Sequence, residues 1–190
     1  MMIYTVECSF ADPHSEAEWN AFYSLDKLPA LISVSGFHTS QRFKALSAGC
    51  PVYLALHSID GLDILTGEEY SQKGGGNFAR WQQHITDWHR NLYEGVERAP
   101  AVGETEYLVL STTGPQPLRE LGLTPVAMRA VAMATKLVST CAAESLKKAS
   151  MAAARSSDWA SLSDRPTCFV ARSASSRACA ARMAQKIRVE

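Results

Sequence analysis

"FYSLDKLPALISVSGFHTSQRF", residues 22–43, decides the fold. It starts with helical spacing, meets Pro29, turns at Gly36 and ends in alternation. Proline lacks an amide proton and crowds the preceding turn, so a helix that reaches it is interrupted. "ALISV" continues as a short turn of helix after the kink, and Gly36 opens a strand running to about Leu46. The stretch therefore joins a helix to a strand.

Upstream, "IYTVECSF" (Ile3–Phe10) reads as a strand with Tyr4, Val6, Cys8 and Phe10 on one face and Thr5, Glu7 and Ser9 on the other. "ADPH" breaks it. Ser15 then has the spacing of a helix N-cap with Glu18 three residues on, ahead of a stripe of Trp19, Phe22 or Tyr23, and Leu25. Downstream, "SAGCP" makes a hairpin turn into "VYLALHSID", and "LDILTGEEYSQ" is helical. After "KGGG", Phe78, Trp81, Ile85, Trp88 and Leu92 are spaced for one face of a helix over 77–93. "TEYLVLSTT" is a further strand.

Strand, helix, strand, strand, helix, strand is the split βαβ order of a ferredoxin-like α+β domain. It packs helices on one face of an antiparallel sheet and leaves the opposite face to be covered. Because the strands are apolar on both sides, dimerisation through that second face is expected.

The 190 residues suffice for one domain or two small ones. The zero net charge divides unevenly, into −7 through Pro125 and +7 from Val126 onward. All five histidines and all six tyrosines precede Pro125, whereas the later part is rich in Ala, Ser and Arg and holds only Trp159 and Phe169 as aromatics. The core and any chemistry are therefore expected in residues 1–112. Residues 113–190 are read as a C-terminal extension, either a degenerate second half-repeat or a partly disordered region. "YLVLST" (107–112), just before it, followed by "PLREL" resembles the start of a second unit, and "VAMRAVAM" within it alternates like a strand inside a stretch of high helix propensity.

No apolar run reaches membrane-spanning length, and "MMIYTVECSF" has no basic start or cleavage site of an export signal. The five cysteines are odd in number and contain no CxxC pair, which fits reduced thiols in a cytoplasmic protein. The basic tail lacks the aromatic interleaving of a nucleic-acid surface. No membrane or nucleic-acid partner is expected.

Phe22, Tyr23, Asp26, Leu28, Pro29, Gly36, Phe37, Arg42 and Phe43 give residues 22–43 a family look. The pattern resembles the helix-to-strand segment of EthD-like proteins in the dimeric α+β-barrel superfamily. Lys27 stands where that pattern has a histidine, and Ser35 where it has a second proline. The resemblance covers residues 1–112. It implies a homodimer whose sheets form a barrel, with a small pocket between sheet and helices in each subunit. Relatives of that architecture include cofactor-free monooxygenases, lactone isomerases, polyketide cyclases and haem-degrading proteins. Chemistry that depends on the missing imidazole does not transfer, and fold alone licenses no function.

Strand parity places the candidate site. If "SAGC" is the turn, facing residues have numbers that sum to about 97. Phe37, Thr39, Gln41 and Phe43 then share a face with Val52, Leu54, Leu56 and Ser58. The other face carries His38, Ser40 and Arg42 with Tyr53, Ala55 and His57. Glu7 is expected on the polar side of the first strand, so that Glu7, His38, Arg42, Tyr53 and His57 converge. His57, His38 and Arg42 are the candidate catalytic residues, because imidazoles titrate near neutral pH and suit acid–base work. Alternatively these residues satisfy one another across a sheet or dimer face.

On the predicted helix, His84 lies one turn from Trp81 and Trp88 and forms with them, Glu7 and Tyr53 the candidate ligand-binding set; the competing reading is an aromatic core stripe. His84 and His89 lie about 140° apart on a helix of roughly 100° per residue, so they form no metal pair. No metal or other cofactor is expected. "KGGGN" lacks the Gly-Lys-Ser/Thr ending of a P-loop and reads as a linker, and Cys8 and Cys50 read as structural thiols. The expected function is binding of a small, largely apolar organic molecule, with or without cofactor-independent acid–base, oxygenase or isomerase-type chemistry. The alternative is a non-enzymatic dimerisation or accessory module with a vestigial pocket.

Overall fold

The computed structural model describes residues 1–46, 49, 51–74, 78–104, 106–111, 114–131, 168–173 and 182–186. β1 (Met2–Phe10) leads into α1 (Glu16–Phe22), a π-helical turn (Tyr23–Lys27) and α2 (Leu28–Ile32). β2 (Phe37–Ala45) and β3 (Tyr53–Ile59) form a hairpin, followed by a 3₁₀ turn (Leu62–Thr66), α3 (Glu68–Lys73) and a second 3₁₀ turn (Ala79–His84). β4 (Ile85–Glu94) completes the unit in the antiparallel order β4-β1-β3-β2. This is the expected ferredoxin-like arrangement, with helices packed on one face.

The other face is covered by the chain itself. β5 (Tyr107–Ser111), α4 (Gln116–Glu120), β6 (Val126–Val131), β7 (Cys168–Ser173) and β8 (Arg182–Lys186) follow. Their order, β8-β5-β7-β6, repeats that of the first four strands, and β2–β8 and β4–β6 pairing closes an eight-stranded barrel. The outer strands β2 and β4, which a second subunit would use to close a dimeric barrel, are thus engaged within the chain.

Alternation along the strands sorts the core into two. Tyr4, Val6, Cys8, Tyr53, Ala55 and Leu92 pack outward against Trp19, Tyr23, Leu31 and Phe78 of the helical layer. Ile3, Phe43, Leu54, Leu56, Tyr93, Leu108, Leu110 and Met128 fill the barrel interior. Gly36, at φ +90°, makes the turn into β2 where a β-carbon would stand 2.5 Å from Ile64 Cδ1.

Four details depart from the sequence expectation. The segment 77–93 is not a helix, because a 3₁₀ turn gives way to β4 at Ile85. Asp87 has φ +50°, and the β1–β4 register shifts there, so Ile85, Trp88 and Leu92 reach one face at steps of three and four. A bulged strand thereby imitates helical spacing. Tyr107–Ser111 consequently opens the second strand set instead of closing the first. Ser15 does not form the capping box; its hydroxyl donates to Asp12 Oδ2 at 2.6 Å. Leu25 is exposed, while Trp19, Tyr23, Lys27 and Leu31 are buried.

That last set explains the π-helical turn. Residues four apart drift by roughly 40° per step around an α-helix of 3.6 residues per turn. One wider turn, with the Leu28 amide donating to Tyr23 O, offsets the drift and keeps all four facing the sheet. It also falls just before Pro29, whose ring would crowd a regular preceding turn.

Expectations for Cys50, most of the "SAGC" turn, Gly75–Asn77 and the helix-prone stretch 132–167 lie outside the described residues.

Candidate functional site

The β2–β3 ladder holds the expected register from Thr39↔Ser58 to Lys44↔Tyr53. Arg42, paired with Ala55, and Ser40, paired with His57, therefore face the helices together. A register shift between Phe37 and Thr39 breaks the pattern at the start of β2. Phe37 consequently packs on the helical side instead of joining Thr39, Gln41 and Phe43, and His38 projects outward, with Nε2 2.6 Å from Asp60 Oδ1. His38 thus stands apart from Arg42 and His57.

Glu7 also stands apart, for a reason of parity. It pairs with Leu54 and His89 on the interior side of the barrel, whereas Cys8 pairs with Tyr53 on the helical side. Asn91 Nδ2 donates to Glu7 Oε2 at 3.5 Å, so Glu7 belongs to a polar strip of the barrel interior.

Arg42 is enclosed by aromatic rings. Its Cζ lies 4.2 Å from the ring centres of both Trp19 and Tyr23 and 4.7 Å from that of Tyr53. Nη1 donates to Asn20 Oδ1 at 2.7 Å, and Nη2 is buried without a hydrogen-bond partner. Asn20 Nδ2 donates to the Tyr53 hydroxyl at 3.1 Å, which in turn donates to Glu16. Burial lowers the Arg42 pKa and pushes the neighbouring Cys8 thiol up to about 12, which makes Cys8 an unreactive structural thiol.

His57 is fully buried. Its ring lies 5.5 Å from Tyr4 and 5.6 Å from Phe37, and Nδ1 is 2.7 Å from Ser40 Oγ. Nε2 has no hydrogen-bond partner. Burial, with the nearby Lys27 charge, pushes its pKa down to about 3, so the imidazole is neutral at physiological pH. The Tyr4 and Tyr70 hydroxyls are 3.2 Å apart with the Arg90 guanidinium beside them, and burial raises the Tyr4 pKa.

Lys27 completes the layer and is absent from the residues that motif reasoning singles out as a site. Nζ donates to Gly74 O at 2.9 Å and lies 4.5 Å from the Phe78 ring centre, and burial pushes its pKa down to about 8. The signal for it is the four-residue spacing Trp19, Tyr23, Lys27, Leu31, which places a cation on the buried face.

Trp81 is buried against Phe22 at 4.7 Å, and Trp88 meets Phe78 edge-on at 4.9 Å. His84 ends the 3₁₀ turn, 5.7 Å from the Phe10 ring and 3.1 Å from Gln83 Nε2. These three share no helix face. Among the described residues, no group of three His, Cys, Asp or Glu is arranged to hold a metal ion. No helix of the described residues is long and apolar enough to cross a membrane. A shallow surface depression, too slight to hold a water molecule, is lined by Ile3, Leu56, Val96, Ala99, Pro100, Val126 and Met128 and includes none of the candidate residues.

No protein-family model and no curated protein matches this chain. Among solved structures, it is similar to a crystal structure described as a provisionally assigned chlorite dismutase, with a TM-score of 0.46 and 10% identity over 100% of this chain and 96% of the other.

Proposed function

We propose that this chain, an EthD-like α+β barrel, binds a small, largely apolar organic molecule between its sheet and its helices. The observation that carries the reading is that Trp19 Nε1, Arg42 Nη2 and His57 Nε2, all buried in that layer, have no hydrogen-bond partner. An unsatisfied buried polar group costs about 1–3 kcal/mol, which a ligand oxygen placed against it recovers. The rings of Trp19, Tyr23, Phe37 and Tyr53 supply the apolar surround. Trp19 and Arg42 are donors suited to a carbonyl or carboxylate oxygen, and the neutral His57 imidazole offers one more hydrogen-bonding nitrogen to a ligand, since a pKa of about 3 lies too far below neutral pH for efficient base catalysis. Residues 1–112 are assigned this role. The repeated strand order supports reading 113–190 as part of a degenerate second half-repeat, one that starts earlier, with β5 at Tyr107.

A second reading, an accessory module with a vestigial pocket, is favoured by the tight packing of the same layer. Trp19 and His57 are 0% exposed and Tyr23 and Arg42 no more than 3%, so a ligand must displace side chains to enter.

Thermal unfolding in the presence of aromatic, quinone and lactone compounds separates the two, since a ligand that prefers the folded state raises Tm. A concentration-dependent rise that is lost in Arg42→Met and in His57→Phe supports binding. Unchanged Tm across the panel favours the accessory module.

A further inference from the structure

We infer that Lys27 is a carbonyl-reactive amine that condenses with an aldehyde or ketone ligand held between the sheet and the helices. The inference deepens the binding reading and rests on it, adding the ligand class and a covalent step.

Position is the first argument. Lys27 ends the only π-helical turn among the described residues, and that turn keeps its side chain, 7% exposed, on the face shared by Trp19 and Tyr23. Single π-turns within helices occur frequently at functional sites. A lysine carried on a surface helix normally reaches solvent with its head group, and this one is turned the other way.

Surroundings are the second. The ammonium group lies over the Phe78 ring, donates to the Gly74 carbonyl and acts electrostatically on His57, whose Nε2 is unpartnered. Amine, neutral imidazole and aromatic wall therefore belong to one layer. Only a deprotonated amine adds to a carbonyl carbon. With its pKa pushed down to about 8, roughly half of Lys27 is neutral at pH 8. A lysine at the ordinary value near 10.4 is neutral to roughly 0.4% there.

The step balances without an oxidant or reductant. The nitrogen lone pair of Lys27 adds to the carbonyl carbon, and a proton passes from nitrogen to the carbonyl oxygen, giving a carbinolamine. Loss of that hydroxyl with one further proton releases water and leaves an imine between Nζ and the ligand carbon.

The test uses benzaldehyde with sodium cyanoborohydride on the full chain at pH 8, followed by peptide mapping. The reduced adduct is expected at Lys27 at least tenfold faster than at the surface residue Lys73 of the same molecules, whose side chain is 41% exposed. Lys27→Arg, which keeps the cation, is expected to abolish the fast phase while Lys73 is labelled as before. Labelling of Lys27 no faster than Lys73 in the unaltered chain overturns the inference without relying on any variant. Benzoate, which cannot form an imine, distinguishes the two failures. If benzoate raises Tm but trapping at Lys27 is absent, the amine chemistry is wrong and binding stands. If neither occurs and no compound of the aromatic, quinone and lactone panel raises Tm, both fall.

Discussion

Ser40 Oγ and His57 Nδ1 meet at 2.7 Å across the β2–β3 ladder, which fixes one nitrogen of a fully buried imidazole and leaves the other unpartnered. Neutral imidazole is the form this packing accepts. The His57 pKa is pushed down to about 3 in the folded chain, against 6.5 for an ordinary histidine. A depressed basic group binds fewer protons folded than unfolded, so its contribution is intact above pH 6.5 and is lost as pH falls toward 3. The loss amounts to several kcal/mol. Urea midpoints at pH 7, 6, 5 and 4 should fall more steeply for the unaltered chain than for His57→Phe, and parallel curves would show that the imidazole is not held neutral.

Lys27 gives a matching effect on the alkaline side. Its pKa is about 8 folded and 10.5 ordinarily, so the cost of burying the charge is present below pH 8 and is relieved as pH rises toward 10.5. Stability measured by urea unfolding should rise between pH 8 and pH 10. Lys27→Met should remove that rise, and a persisting rise would assign it to another group.

Arg42 is held by three rings and one Asn20 hydrogen bond. Stacking needs a planar cation, which Lys cannot supply. Arg42→Ala should cost about 3 kcal/mol in urea unfolding, and Arg42→Lys should recover less than half of it. Full recovery with Lys would mean that charge, and not the planar stack, holds the layer together.

Gly74 tests the contact that seats Lys27. A β-carbon there would stand 2.3 Å from Leu31 Cδ2 while the Gly74 carbonyl accepts from Lys27 Nζ. Gly74→Ala should lower stability by about 1–3 kcal/mol through overpacking. Unchanged stability would count against the Leu31 contact.

Barrel closure by β5–β8 has an expected hydrodynamic outcome. With β2 and β4 engaged at both edges, light scattering after size exclusion should give the mass of one 190-residue chain. A species of twice that mass would show that a second copy is still required.

Much of this was legible in residue order. The proline and glycine of residues 22–43 mark the join of α2 and β2, and the hairpin sum of about 97 holds for six consecutive pairs from Thr39 to Lys44. Alternation therefore brings Arg42, Tyr53 and His57 to one face. His38 escapes that rule because a bulge at the start of β2 depends on packing that no local pattern encodes. Glu7 was separable by parity alone, since it alternates with Tyr4 and Cys8. The Trp-rich segment deceives because one bulged residue, Asp87, turns a period of two into a step of three. Lys27 hides for the opposite reason: a charged residue at a core spacing is ordinarily placed at the surface, and only the widened turn brings it inward.

Closing the barrel with strands far apart in the chain has a kinetic consequence. Phe43 pairs with Lys186, so one seam of the barrel joins residues about 140 positions apart, and contacts of such long range form slowly. During synthesis, the outer backbone groups of β2 must wait until β8 has emerged. An uncovered strand of that kind invites pairing with another nascent chain, so the interval before β8 arrives is when this protein is most exposed to aggregation and to chaperone capture.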